Sequence, residues 1–249
     1  MSWNRGGFNT PIKFAPGESW LYGPALDWAG LALEAITGDT LGAYMQRHIF
    51  EPLGMKDTGF WPERLSDEKL EERGVEPVER KETGGKLVGV PAWQPKEHEI
   101  ESGGAGLYST NEDYAKFLSA FLKGELLSDK SMEEVFTPQL DDTQRAAMEA
   151  IAYHSGEDVR MGFTPEFPVD TPINHGLAGV LNLEDVEGKR RKGSIMWSGM
   201  VNSRWWVDRE TGIAAILVVH LMPHGDRVVG SLIDQLESGV YEALKGGTD

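Results

Sequence analysis

The spacing of apolar residues changes character near Gly176, and that change limits what the chain can fold into. Before it, apolar residues recur at helical spacing: Leu26, Ala29, Leu33 and Ile36, and later Tyr114, Phe117, Leu118, Phe121 and Leu122. After it, Leu177–Leu183, Ser194–Trp197, Arg204–Asp208 and Ile213–Met222 read as strands, with Asp208 to Gly212 as the hairpin turn between the last two. An amphipathic helix from Val228 to Leu244 closes the pattern. Helices, then antiparallel strands, then one more helix predict an α+β layer arrangement. The 249 residues suit one domain, mainly helical over 23–175 and strand-rich with a closing helix over 176–249.

Start and stop signals sharpen the helical part. Thr40 caps a helix predicted over Leu41–Glu51, which Pro52-Leu-Gly54 ends. Thr110 caps the clearest helix, Asp113 gives it a capping-box-like start, and Gly124 stops it. Shorter helices are expected over Asp129–Phe136, ended by Pro138, and over Asp142–Tyr153. Residues 62–100 are charged, rich in Gly and Pro, and weakly periodic, so they read as a surface excursion.

Composition excludes several classes of function. A net charge of −16, from 40 acidic against 24 basic residues, argues against nucleic acid or an acidic membrane surface as partner. The absence of cysteine excludes disulfides, thiolate chemistry and cysteine-ligated metals, and makes a cytoplasmic location the default expectation. The longest apolar stretch, Ile213–Met222, is too short for a membrane span and suits a buried strand, and no signal-peptide pattern occupies the start. His220 and His224 stand four apart, but Pro223 and a strand context break the helical geometry of a zinc site; His220 reads as a satisfied strand histidine. His48 falls on a helix, and His98 and His175 fall in expected loops, without acidic partners set by spacing. The Gly103-Gly-Ala-Gly106 loop lacks the Gly-Lys-Ser/Thr of a phosphate loop. No metal or organic cofactor is implied. Trp61, Trp93, Trp205 and Trp206 are expected in the core, or lining an apolar pocket.

One polar residue stands out by position. Pro16-Gly17 and Gly23-Pro24 are turn signals, and the helical pattern starts directly after them. Tyr22 therefore precedes a helix N-terminus, where unpaired N–H groups and the helix dipole favour negative charge. Two readings stand side by side: a phenol of lowered pKa able to act as a base, or a tyrosine packing at a turn.

The segment Pro16–Phe60, with Pro-Gly-x-x-Trp-x-Tyr-Gly, Asp27-Trp-Ala-Gly30 and Pro52-Leu-Gly-Met55-x-Asp-Thr, resembles the serine β-lactamase-related hydrolases, and within them the fungal lovastatin-type acyltransferases. Glu101 to Thr110 is similar to the family's Gly-Gly-x-Gly loop, and Gly176 to Pro223, with Trp197-Ser-Gly199, to its last strands. The resemblance implies an antiparallel sheet flanked by helices, with a helical subdomain. It also implies an acyl-serine mechanism: acyl transfer from a thioester to a hydroxyl of a small natural product in secondary metabolism. Tyr22 would be the general base, the Met200 backbone amide an oxyanion donor, and Trp197, Ser198, Gly199 and Gly104 the substrate-binding positions. Trp197-Ser-Gly199 would lie on an edge strand. The Ser-x-x-Lys pair of that family belongs N-terminal to the tyrosine and is not found there, so the family's N-terminal portion is expected to be absent from these residues. The one match, Ser66–Lys69, lies in a charge-rich run and reads as a helix cap. Trp197 replaces the family's Lys or His, Pro24 replaces the Asn of the β-lactamases, and Met200 and Val201 add bulk to a usually glycine-rich stretch. The basic run Lys189–Lys192 would dock an acyl-carrier protein or simply open a strand. An esterase with the same machinery and a noncatalytic binding paralogue are the alternatives.

Overall fold

A computed structural model describes residues 3–65, 73–92 and 98–246. The Ser66–Lys69 match and Trp93 lie outside the described residues.

A short helix α1 (Arg5–Phe8) leads to α2 (Ala25–Thr37), which stops at Gly38 in the left-handed conformation (φ 76°). The next helix starts as expected, with the Thr40 hydroxyl accepting the Ala43 N–H at 3.2 Å, but it is not one regular α-helix. It runs as α3 (Leu41–Met45), a wider π turn (Gln46–Phe50) and α4 (Glu51–Leu53). Pro52 is the physical reason. It has no N–H for the His48 carbonyl and its ring crowds that carbonyl, so the turn before it opens.

The excursion 62–100 is not merely surface chain. It contains a hairpin of β1 (Val78–Arg80) and β2 (Leu87–Gly89) that joins the body of the protein. Beyond it lie α5 (Asn111–Leu122), α6 (Asp129–Val135), α7 (Asp142–His154) and α8 (Glu157–Phe163). Asp113 completes only half of the expected capping box. Its own amide is capped by Thr110, but its carboxylate turns to the Asp57 N–H (2.7 Å) and the Thr58 hydroxyl (3.0 Å). Helix α8 has no counterpart in the sequence reading, because only one turn of its pattern is apolar.

The sheet begins earlier than expected, inside the part read as helical. Strands β3 (Ile173–His175), β4 (Val180–Asn182), β5 (Ile195–Ser198), β6 (Arg204–Asp208) and β7 (Ile213–Leu217) form an antiparallel sheet in that order. His175 is therefore a strand residue and not a loop residue. The apolar run Ile213–Met222 is not one strand. It leaves the sheet after Leu217, where the Ser203 hydroxyl takes both the Val219 carbonyl (2.7 Å) and its N–H (3.0 Å). It resumes as β8 (Leu221–Met222), parallel to β1 in a separate three-stranded sheet. The last helix, α9 (Arg227–Gly246), matches the expected amphipathic run.

Strand alternation sends the two faces of the large sheet to different helices. Leu181, Ile195 and Val207 meet Leu118 and Phe121 of α5 and Met132 and Val135 of α6. Val180, Met196 and Trp206 face Met148 and Ala152 of α7 and Tyr241 of α9. The second face also buries charge. Arg190, fully buried, makes a bidentate pair with Glu237 of α9 at 2.7 Å for both bonds, and both it and Arg204 reach Glu166. Asp208 accepts from the Tyr241 hydroxyl (2.7 Å). These ties fix α9 to the sheet. They also consume the basic run: Lys189 binds Asp234 and the Glu166 carbonyl, Arg190 is inside, and Arg191 pairs with Asp185.

Among the described residues, β7 has a free edge, and beside it a groove of about 350 Å³ runs between β7 and α5. Val228, Leu232, Leu236, Val240 and Leu244, spaced four apart on α9, are also exposed. Helix α2 buries only Asp27 and Gly30, leaving Leu26, Trp28 and Ile36 open. No described helix is long and apolar enough to cross a membrane.

Candidate active site

Tyr22 ends an extended segment that begins at a tight turn, where Glu18 N–H bonds the Ala15 carbonyl and Gly17 takes φ 91°. Helix α2 starts after Pro24, as the turn signals require. Beneath that start lies Asp27, 6% exposed, which accepts from the Ser102 hydroxyl (2.5 Å) and the Gly104 N–H (3.2 Å). The glycine-rich loop is thus shaped by the helix it supports. A Cβ on Gly103 would come within 2.6 Å of the Leu26 carbonyl, and one on Gly104 within 2.9 Å of the Asp27 carboxylate. Gly104 underpins the Tyr22 segment, with its amide given to Asp27.

The phenol differs electrostatically from the low-pKa base that its place before a helix suggests. Burial raises the Tyr22 pKa above 10.0 and the Asp27 carboxylate raises it further. The residue is 62% exposed by surface area, and its hydroxyl has no hydrogen-bond partner among the described residues. A phenolate here needs a cation brought to it.

Trp197 and Ser198 occupy the end of β5, which is the central strand of its sheet and not an edge strand. The Trp197 ring lies 5.6 Å from the Tyr22 ring, so the two sequence blocks do converge. Three further rings complete the wall, and one of them, Trp20, belongs to the tyrosine motif itself. Phe163 meets Trp197 edge-on at 5.7 Å, His175 meets it at 5.5 Å, and Trp20 contacts both Phe163 (5.9 Å) and His175 (6.1 Å). Tyr22, Trp197, Phe163, His175 and Trp20 form a continuous aromatic surface. The His175 Nδ1 donates to the Gly176 carbonyl (2.5 Å), which leaves the Nε2 lone pair free, and burial holds its pKa below 6.5. The ring is neutral at pH 7. The Ser198 hydroxyl donates to the Gly162 carbonyl (2.9 Å), and Arg204 donates to the Gly162 and Phe163 carbonyls, which fixes Phe163 against the tryptophan.

The turn after Ser198 carries the exposed amides. Gly199 N–H bonds the Ser203 carbonyl (2.8 Å) and Asn202 N–H the Gly199 carbonyl (2.9 Å), a type I turn closed by a residue at positive φ. Met200 lies at the tip, 44% exposed, and its N–H has no partner among the described residues. An amide left without an internal partner is free to donate a hydrogen bond to another group.

Of the other histidines, His224 lies against the frame of the site: a Cβ on Gly162 would come within 2.3 Å of its ring, and the Gly162 carbonyl is the acceptor for Ser198 and Arg204. His220 does not have the satisfied ring expected of it; its Nε2 is buried without a hydrogen bond, and burial lowers its pKa. His48 lies tilted against Tyr44 (4.3 Å) and His98 stacks on Trp61 (3.8 Å). Among the described residues no cluster of His, Asp and Glu is arranged to hold a metal. Trp205 and Trp206 pack in the two cores, as expected.

Comparison with known proteins agrees with this geometry. The family profile named Beta-lactamase matches residues 5–236. The chain is 33% identical over 238 residues to a protein named lovastatin esterase from Penicillium rubens, covering 94% of this chain and 59% of that one. It is 30% identical over 242 residues to monacolin J acid methylbutanoyltransferase of Aspergillus terreus, covering 95% and 57%. The solved simvastatin synthase of Aspergillus terreus, as its LovD6 mutant, superposes with a TM-score of 0.86 at 28% identity over 96% of this chain and 58% of that one. The chain therefore spans somewhat more than half the length of the relatives it matches. With the α+β sheet, the tyrosine turn and the Trp-Ser-Gly strand all in place, the chain belongs to the beta-lactamase family.

Proposed function

We propose that this chain belongs to a serine acyltransferase that moves an acyl group from a thioester to a hydroxyl of a small natural product in secondary metabolism. The observation that carries this reading is the free Met200 amide on a fixed turn, beside an aromatic wall that includes Tyr22. The names of the relatives support it: methylbutanoyltransferases among the sequences and a simvastatin synthase among the structures.

The proposed chemistry runs in two steps. A serine oxygen attacks the thioester carbonyl, its proton passes to the Tyr22 phenolate, and the C–S bond breaks as the thiolate takes that proton. The acceptor hydroxyl then attacks the acyl-serine, gives its proton to Tyr22, and the serine oxygen leaves and recovers it. In both steps the Met200 N–H donates to the negatively charged carbonyl oxygen, lowering the barrier by about 3–4 kcal/mol. Trp197, Ser198 and Gly199 shape the floor, and Gly104 keeps the Tyr22 segment in place. The reading calls for a nucleophilic serine, and for a lysine to hold Tyr22 as phenolate. Burial and the Asp27 carboxylate raise the Tyr22 pKa, and a neighbouring cation would act in the opposite direction. Within the basic run Lys189 and Arg190 are engaged internally, whereas Arg191 pairs with Asp185 at the surface.

A second reading, hydrolysis with water as acceptor, is favoured by the esterase name of the relative at 33% identity. One experiment separates them. The native protein is sized by intact mass, labelled with a serine-directed fluorophosphonate, and given an acyl thioester with and without alcohols. Labelling with ester formation supports transfer. Labelling with free acid alone supports the esterase. No labelling of the native protein leaves a binding paralogue and overturns both.

A further inference from the structure

The turn that offers the Met200 amide is held from behind by one side chain. Asn202 is 5% exposed and takes φ 67°, the left-handed region that Asn tolerates better than most residues. Its Nδ2 donates to the Leu221 carbonyl (2.7 Å) and the Pro223 carbonyl (2.9 Å), and its Oδ1 accepts the Gly225 N–H (2.9 Å). The backbone adds a fourth tie, the Leu221 N–H to the Val201 carbonyl (3.2 Å). Both amide protons and the carbonyl oxygen of Asn202 are thus used to bind the turn 199–203 to the segment 221–225. That segment is anchored in turn by Asp226, which pairs with Arg80 (2.7 Å) and caps the Val229 N–H (3.0 Å).

A hairpin turn of this shape needs only a residue that accepts positive φ at this position, and glycine would serve. The chain instead buries a fully satisfied amide there, with bonds to a segment distant in sequence. Buried side-chain bonds of this kind fix geometry, and a misplacement of an oxyanion donor by a fraction of an ångström weakens it sharply.

We propose that Asn202 is the positioning residue of the oxyanion donor, locking the turn so that the Met200 N–H holds one direction. The proposal rests on the acyl-transfer reading for its catalytic consequence, but the locking itself does not depend on it. Asn202→Gly keeps the backbone conformation and removes the lock, and Asn202→Asp keeps the acceptor for Gly225 while losing both donors.

The test uses the native full-length protein and has two arms. In the first, amide hydrogen exchange follows the bonded Gly199, Asn202, Leu221 and Gly225 N–H groups. Asn202→Gly is expected to speed their exchange at least tenfold while amides in β6 and α7 keep theirs. Unchanged exchange at these four amides overturns the proposal, whatever the enzyme does. In the second, ester cleavage is measured well below the melting temperature of each variant. Both variants are expected to lose about tenfold or more in kcat with KM within twofold, and to bind a phosphonate transition-state mimic more weakly by a similar factor. Full kcat in Asn202→Gly would mean that the turn needs only its φ, and overturns the catalytic role. A wild-type protein without acyl chemistry refutes the acyl-transfer reading and the catalytic role with it, while the exchange arm still decides the lock.

Discussion

The two sides of the candidate site are built to different standards. On the strand side, Trp197, Ser198 and the Met200 turn rest on a central strand, and each neighbour is tied by a named bond: Ser198 to Gly162, Arg204 to Phe163, Asn202 to Leu221, Pro223 and Gly225. On the tyrosine side, Tyr22 is open to solvent with its hydroxyl unpartnered, and Leu21, Leu26 and Trp28 around it are 46%, 59% and 47% exposed. The strand side is finished by this chain alone. The tyrosine side has its backbone set by Asp27 and the glycine loop but lacks the surroundings that would give the phenol a working pKa. On the proposed reading, the strand side offers the hydrogen-bond donor and Tyr22 the proton chemistry.

That contrast can be broken from either side. The largest effect is expected for Tyr22→Phe in the native protein. Acyl transfer should fall by a factor on the order of a hundred to ten thousand, the usual worth of a positioned acid–base group, while urea unfolding stays within about 0.5 kcal/mol. A comparable loss of stability would mean that the tyrosine is structural and would sink its role as base.

Next comes Glu237→Ala on the strand side, which leaves Arg190 buried without its bidentate partner. We expect a loss of about 3–5 kcal/mol in unfolding free energy. A cost below about 1 kcal/mol would show that the second face of the sheet is far more hydrated than its burial indicates. Smaller again, Trp197→Leu should lower kcat/KM for bulky acceptors about tenfold, near 1.4 kcal/mol, and spare a small alcohol. Equal losses for both would remove the aromatic wall from specificity.

The smallest effect is a pH dependence. Burial depresses the pKa of His175, His220 and His224 below 6.5, with Arg204 adding to the effect at His224. The unfolded chain therefore binds protons first as pH falls. Stability from these rings is present above pH 6.5 and is lost as pH drops toward their lower folded values, by at most about 1.4 kcal/mol per pH unit for each ring. Urea titrations at pH 7.5, 6 and 5 should record that slope, and His220→Gln should flatten it by up to one proton. A slope of opposite sign would mean that the rings are charged in the folded state.

Much of this was legible in the sequence wherever a local rule decided the outcome. The caps at Thr40 and Thr110, the stops at Gly38 and Gly54, the Asp208–Gly212 turn and the last helix follow from local chemistry and stand where the residues placed them. What was not legible depended on partners distant in sequence. The break in Ile213–Met222 is made by Ser203, and the π turn by a proline within a good helical pattern. Arg190 looked like part of a surface charge run until Glu237, 47 residues later, came to face it. At the site, motif blocks led to Tyr22, Trp197 and Met200. Trp20 lay within the tyrosine motif with no role assigned to it, while Phe163 and His175 could not be found that way, because nothing in their spacing says that a helix and a strand bring their rings to one tryptophan.

The buried group of Arg190, Arg204, Glu166 and Glu237 is balanced, two cations against two anions, and one of the anions arrives late. As the chain leaves the ribosome, Glu166, Arg190 and Arg204 emerge before Glu237 does. Until it does, closing the sheet over these residues would trap an uncompensated positive charge. Glu237 is the eleventh of the twenty residues of α9, so the charge balance of the sheet's second face is completed only once half of the last helix has been made.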